Sequence, residues 1–174
     1  MSDEHLRYPV GRFSPKDSYS MDEIHQHIAR IAELPNDVRG ITITLSMEQL
    51  ATPYRPGGWT ALQVIHHLAD SHLNAFIRTK WALTENTPMI KAYDEKAWAE
   101  TPETSLDAML SLELLSALHL KWTALLRKLS PVELDKKFLH PETKKEVPLS
   151  RNIALYSWHG EHHCGHLKIV ANTR

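Results

Sequence analysis

The feature that most constrains the fold is the spacing of apolar residues between positions 60 and 84. Apolar side chains recur there every three or four positions, which is the period of an α-helix that buries one face. This stripe consists of Leu62, Ile65, Ala69, Leu73 and Phe76. Thr60 and Gln63 form a capping box, in which each side chain satisfies a backbone N–H group at the start of a helix. The pattern predicts a long helix from Thr60 to about Thr84.

Three other segments also have helical spacing. A capping box of Ser20 and Glu23 starts the first, whose apolar stripe ends at Pro35. The following stretch, 37–45, is ambiguous between a strand and a kinked continuation of that helix. Another predicted helix ends before Pro131, and its apolar stripe is Leu106, Met109, Leu110, Leu114, Leu118, Trp122, Leu125 and Leu129. Ser150 is the predicted cap of a last helix that reaches about Ala171.

Four helices joined by substantial connections indicate an all-α four-helix bundle. Residues 1–19 read as an irregular arm, 51–58 as a loop, 85–103 as a linker, and 138–149 as a hairpin or loop before the last helix. A chain of 174 residues without repeats is expected to form a single domain over 1–174.

Composition excludes several classes of function. The net charge is −1, from 20 basic and 21 acidic residues, so a nucleic acid or an anionic membrane is not the expected partner. A single cysteine, Cys164, fits a reducing compartment and excludes zinc sites built on paired cysteines. The N-terminal residues have no apolar signal segment, and no apolar run approaches the roughly 18 to 20 residues that span a bilayer. We therefore expect a cytoplasmic protein.

Histidine is unusually frequent, with twelve in the chain and four within WHGEHHCGH at 158–166. Because a helix turns about 100° per residue, all four rings share the apolar side of the last helix, whereas Glu161 lies opposite. They are either core histidines that are hydrogen-bonded or ligands of a metal ion. Four buried rings need many partners, which favours the metal. The spacing allows two ligand pairs, either His159 with His163 or His162 with His166.

The predicted helix after Thr60 also carries a polar stripe, which is either a solvated face or the lining of a wet cleft. It consists of Gln63, His67, Asp70, Ser71, Asn74 and Arg78. In a cleft that faces the last helix, His67 would be a third ligand. His66 would then point toward the edge of the core, and His119 is best interpreted as a core histidine.

Three segments resemble the DinB superfamily, in its YfiT-like branch. They are GGWTALQVIHHLADSH at 57–72, TPMIKAYDEKAW at 87–98, and WHGEHHCGH at 158–166. The branch is described as metal-dependent hydrolases and includes bacillithiol S-transferases. The resemblance implies a bundle in up-down-down-up order, frequently a homodimer, that holds zinc or nickel. The family pattern selects His67, His159 and His163 as ligands, with His162 and His166 as neighbours or supporting partners.

Three histidine ligands leave a divalent metal with an open position, as in catalytic sites. The leading hypothesis is a transferase in which the metal holds a low-molecular-weight thiol, such as bacillithiol, as a thiolate that attacks an electrophilic small molecule. Asp70 would orient His67 or accept a proton, and Asn74 and Arg78 would hold carboxylate or sugar hydroxyl groups. The alternatives are a hydrolase that uses metal-bound hydroxide and a non-catalytic, metal-binding stress protein.

Overall fold

A computed structural model describes residues 3–173 of the chain. The four long helices are α2 (Met21–Thr42), α4 (Ala61–Thr84), α6 (Met109–Leu126) and α8 (Leu149–Ala171). The short helices are α1 (Glu4–Arg7), α3 (Met47–Leu50), α5 (Glu95–Trp98) and α7 (Pro131–Leu134), with a 3-10 turn at Pro102–Ser105. An antiparallel hairpin of β1 (Lys137–His140) and β2 (Lys145–Pro148) precedes α8. The predicted helices and the predicted hairpin are confirmed.

Each long helix packs against two others: α2 and α4 both contact α6 and α8. The end of α2 meets the start of α6, where Arg39 Nη2 lies 2.9 Å from Glu113 Oε1. These two helices are therefore antiparallel.

Helices α4 and α6 run in the same direction. Near the start of both, His66 Nδ1 lies 2.8 Å from Ser111 Oγ. Further along both, His72 Nδ1 lies 3.0 Å from His119 Nε2. Parallel neighbours need a connection that returns along the bundle, and residues 85–108 supply it.

Two clusters of buried apolar residues fill the bundle. The first joins Ile24 of α2 to Ile153 of α8, and the second joins Val38 to Leu167. Because early residues of α2 meet early residues of α8, and late residues meet late ones, these helices are parallel. The order is up-down-down-up, as the resemblance implied, and the histidines of α8 lie between the two clusters.

Helix α2 settles the ambiguity of residues 37–45, because it continues through Pro35 to Thr42. The predicted capping box is present at its start, where the Glu23 backbone N–H donates to Ser20 Oγ at 3.2 Å. Leu34, Pro35 and Val38 are all buried. Burial of this apolar face outweighs both the hydrogen bond that proline cannot make and the strand preference of the β-branched residues.

The predicted stripe of α6 is wrong in its first half. Exposed apolar side chains include Leu106, Met109, Leu110 and Leu114. The buried face consists instead of Ser111, Leu112, Leu115, Leu118, His119, Trp122, Thr123 and Leu126. Because this helix is apolar on several sides, periodicity alone selects no face. The 18 residues of α6 have a mean hydropathy of 1.2, so by length and composition this helix could cross a membrane, contrary to expectation. In this structure it packs in the bundle.

The start of α8 also differs from the prediction. The helix begins at Leu149 directly after the hairpin, its N-cap position is Pro148, and it has no side-chain cap. Ser150 is already inside the first turn, so it does not cap the helix.

Candidate metal centre

Three histidine rings from two helices converge in the interior of the bundle. His159 and His163 lie one turn apart on α8, and His67 comes from α4. His159 Nε2 lies 3.3 Å from His67 Nε2 and 3.1 Å from His163 Nε2. One nitrogen of each ring falls within 4.8 Å of the other two, so this group could hold a metal ion. The three residues that the sequence analysis selected as ligands are thus brought together.

Burial favours the neutral form of these rings. It lowers the pKa of His67 to about 4, with a smaller contribution from His162. Burial also lowers the pKa of His159 and His163 well below the usual value, and the neighbouring rings add to that effect. A neutral imidazole has the free lone pair that a metal requires.

Aromatic rings and one close helix contact fix the positions of these ligands. Trp59 lies 4.6 Å from His67 between ring centroids, and Tyr156 lies 5.5 Å from His159. Next to His159, a Cβ on Gly160 would lie 2.7 Å from Leu34 Cδ2. Glycine therefore permits the close approach of α8 to α2 next to the ligand His159.

A second group of histidines overlaps with the first. His162, His163 and His166 also place one nitrogen each within 4.8 Å of the others. However, His163 Nδ1 lies 3.3 Å from His166 Nδ1, and His166 Nε2 lies 3.3 Å from the Arg7 carbonyl oxygen. His166 therefore contacts the ring nitrogen of His163 that faces away from His159. His162 stacks on Trp158, with 4.7 Å between ring centroids.

His72 is a participant that the sequence analysis did not single out. Its Nε2 lies 3.2 Å from His159 Nδ1, and its Nδ1 contacts His119. His119 is buried, as expected for a core histidine, and so is His72. The available signal was helical phase, because His72 lies seven residues after Ile65 and so shares its apolar stripe. His66 points instead toward Ser111 and the Leu106 carbonyl.

The polar residues that follow His67 on α4 have separate surroundings. Asp70 is half-buried, and burial, with a contribution from Glu103, raises the pKa of its carboxyl to about 6. Within residues 3–173 it forms no hydrogen bond to a histidine ring. Asn74 donates to the Asp70 backbone carbonyl at 2.9 Å. The roles predicted for Asp70 and Asn74 remain predictions.

Arg78 lies beside the centre rather than in contact with it. Its Nη1 donates to Tyr156 Oη at 3.4 Å, and Tyr156 in turn contacts His159. Its Nε is buried without a hydrogen-bond partner among the described residues. A substrate group held by Arg78 would therefore sit near the ligand His159, which remains a prediction.

Two further residues, Gln63 and Cys164, lie close to the site in sequence but are not ligands. Gln63 Nε2 donates to the Ala99 carbonyl at 2.8 Å and so ties the 85–108 linker to α4 close to His67. Cys164 belongs to the second apolar cluster, and burial raises the pKa of its thiol to about 12. It is a packed thiol rather than a nucleophile.

Comparisons with known proteins agree with this architecture. The sequence profile of the DinB superfamily matches residues 30–167. A protein of Oceanobacillus iheyensis, named "Putative metal-dependent hydrolase OB0782", is 47% identical over 168 residues, which cover 97% of each chain. "Putative metal-dependent hydrolase YfiT" of Bacillus subtilis is 44% identical, and the match covers 96% of this chain and 94% of that protein.

The solved structure of Bacillus subtilis YfiT superposes on this chain with a TM-score of 0.93 over 95% of both chains, at 44% identity. It is described as "a probable metal-dependent hydrolase with an unusual four-helix bundle topology". The extent of the profile match, the near full-length identity and the shared bundle confirm the resemblance found in the sequence. The chain therefore belongs to the DinB superfamily and is a relative of YfiT.

Proposed function

We propose that this protein is a metal-dependent transferase that joins a low-molecular-weight thiol to an electrophilic small molecule. The ion would be zinc or nickel, held by His67, His159 and His163. Bacillithiol or a similar thiol would be the co-substrate, and the protein would act in the cytoplasm. The broader part of this proposal, that the protein is a metal-dependent enzyme, is supported by the names of its relatives.

One observation carries the metal part of the proposal. Metal–nitrogen bonds of about 2.0–2.1 Å in a tetrahedral site place two ligand nitrogens about 3.3 Å apart. The distances from His159 Nε2 to the other two Nε2 atoms are 3.3 and 3.1 Å. Two of the three distances therefore match those of a tetrahedral site, and the nitrogens of His67 and His163 lie within 4.8 Å of each other. Three protein ligands also leave a position open, as catalytic sites do.

A divalent ion held by His67, His159 and His163 would lower the pKa of a thiol or water molecule bound to it. Among residues 3–173, the single cysteine is packed in the second apolar cluster and so offers no thiol nucleophile at this position. The nucleophile would therefore come from outside the protein, and in this proposal it is the sulfur of a bound thiol. A carbon–sulfur bond forms, the bond from that carbon to its leaving group breaks, and the leaving group departs with the electron pair.

The residues around the three histidine ligands would bind and orient the reactants. Arg78, with its unpartnered Nε, would hold a carboxylate, because a guanidinium binds such groups through paired hydrogen bonds. Asp70 would accept the thiol proton, since a carboxyl with a pKa of about 6 is largely ionised at neutral pH. Asn74 would contribute an amide to the same polar stripe.

Hydrolysis is the second candidate, because both relatives are named as hydrolases. Water would then take the place of the thiol at the same centre, with Asp70 as its base. A non-catalytic role in binding a metal is the third candidate, and the same experiment distinguishes all three.

The test starts with metal analysis of the purified protein and of His159→Ala. Turnover of monochlorobimane, which fluoresces when it forms a thioether, is then followed with and without bacillithiol, alongside hydrolysis of ester and amide probes. We expect about one ion per chain, lost in the variant, and thiol-dependent turnover. Hydrolysis without thiol would replace the transferase with the hydrolase. Stoichiometric metal without turnover of any probe would favour the non-catalytic role, and metal retained by the variant would refute the ligand assignment.

A further inference from the structure

On the side that faces away from the other two ligands, His159 contacts a series of hydrogen-bonded, buried histidines. His159 Nδ1 lies 3.2 Å from His72 Nε2, and His72 Nδ1 lies 3.0 Å from His119 Nε2. His119 Nδ1 in turn contacts the Ile31 backbone carbonyl. His72 and His119 are 0% and 1% exposed, so no solvent completes their hydrogen bonds. Each ring nitrogen of His72 and His119 has one partner.

The carbonyl at the end determines the position of every proton. A carbonyl oxygen only accepts, so His119 must donate from Nδ1 and carry its lone pair on Nε2. His72 must then donate from Nδ1 to His119 and accept at Nε2. His159 must donate from Nδ1 to His72. The remaining lone pair of His159 is consequently on Nε2, the atom that faces His67 and His163.

We infer that His72 and His119 are positioning residues that fix the tautomer and orientation of His159, so that its Nε2 lone pair is presented to the metal. This inference rests on the ligand set of the proposed function. A partner that binds the second nitrogen of a metal-bound histidine commonly fixes its tautomer and ring orientation. Here a second histidine, anchored by a backbone carbonyl, takes the place of the usual carboxylate.

A shorter series of hydrogen bonds, through His166 alone, acts on His163 in the same way. His166 donates from Nε2 to the Arg7 carbonyl, which leaves Nδ1 to accept from His163 Nδ1. The lone pair of His163 is then on Nε2, facing His159. Two backbone carbonyls therefore direct two ligand lone pairs toward one point, where a bound cation would relieve their mutual repulsion.

The surroundings of His72 favour positioning over proton transfer. Its ring lies at 23° to that of His119, with 4.9 Å between centroids, and nearly perpendicular to Trp122 and Tyr156, at 6.0 and 5.1 Å. These contacts restrict rotation of the ring. The series of rings also ends on a backbone carbonyl, which has no proton to release. Its function is therefore to hold one arrangement.

The first test requires neither metal nor substrate. Two-dimensional NMR of the 15N-labelled, metal-free protein reports which nitrogen of each ring carries the proton. We expect His72, His119 and His159 to be protonated at Nδ1, and His166 at Nε2. A proton on Nε2 of His72 or His159 in the folded protein would overturn the inference.

The second test measures zinc affinity by competition with a chelating indicator. His72→Leu removes the acceptor, and we expect its affinity to fall about 10- to 100-fold. His72→Gln should recover most of that loss, because its amide oxygen can accept from His159 Nδ1. Equal weakening in both variants, or unchanged affinity in His72→Leu, would overturn the inference.

His66→Leu is the matched control. His66 lies on the same helix, is 3% exposed, and has hydrogen-bonding contacts to Ser111 and Leu106 that do not reach His159. We expect this variant to lose stability but to retain zinc affinity, and an equal loss of affinity would refute a specific role for His72. If His159→Ala keeps full zinc affinity, the ligand set itself fails. The NMR result stays interpretable in that case, because it concerns the metal-free chain.

Discussion

Acidification should destabilise the metal-free protein. The contribution of one histidine, His119, to this loss of stability can be measured by substitution. Burial lowers the pKa of His119 to about 4, from an ordinary value of 6.5. The unfolded chain therefore binds a proton that the folded chain excludes. The stabilisation is complete above about pH 6.5 and is lost as the pH falls toward about 4.

The magnitude follows from that difference. One pH unit below the ordinary pKa, each such ring lowers the free energy of unfolding by about 1.4 kcal/mol. His67, His162 and His166, whose pKa values burial also lowers to about 4, act in the same direction. The loss between about pH 7.5 and about pH 5.5 is thus several kcal/mol in total, a large part of the 5–15 kcal/mol typical of a domain.

The assay is urea unfolding followed by circular dichroism, in the presence of a chelator, at a series of pH values. His119→Gln should reduce the pH-dependent loss by about 1.4 kcal/mol over that interval. His25→Gln, which removes an exposed ring on α2, is the control and should keep the full loss. A wild-type stability that is flat across the interval, or a His119→Gln variant that keeps the wild-type slope, would refute the reasoning.

Four other predictions address the helices and the site. Thr60→Ala removes a helix cap and should lower the free energy of unfolding by about 1 kcal/mol, measured in urea. Gly160→Ala should disturb the contact with Leu34 at a cost of about 1–3 kcal/mol, which exceeds the ~1 kcal/mol gained in helix propensity; a double-mutant cycle with Leu34→Ala should show coupling. Zinc at about 100 times its Kd should stabilise the wild type by about 2.7 kcal/mol, and His159→Ala should not respond. Asp70→Asn should lower turnover by about 10²- to 10⁴-fold and abolish a loss of rate below about pH 6; a variant with the wild-type pH profile would exclude Asp70 as the base.

Local features of the fold were predictable because their causes are local. The capping boxes at Ser20 and Thr60 each involve groups within four positions, and both are present. The choice of face on α6 was not predictable in this way. Leu110 and Leu114 are as apolar as Leu112 and Leu115, and only packing against α2 and α4 decides which pair is buried.

The candidate site shows the same division. Helical phase placed the histidines of α8 inward, but it left two ligand pairs open, and the family pattern selected His159 and His163. Helical phase also places His72 on the buried face of α4, but it does not identify its partner His159, which lies 87 positions away in the chain. A hydrogen bond between distant segments leaves no periodic signal in the sequence. The ligands were therefore predictable, whereas the residues that orient them required the structure.

The contact between His67 and His159 has a consequence for chain topology. Those residues are 92 positions apart, and the segment between them includes all of α6 and the hairpin. An ion that bridges them would act as a removable cross-link, closing a long loop in the way a disulfide does. In the chain-entropy picture a covalent link of that span stabilises a protein by up to about 4–5 kcal/mol. A protein with one cysteine has no such covalent link within its own chain, and the histidine centre would give it a reversible one.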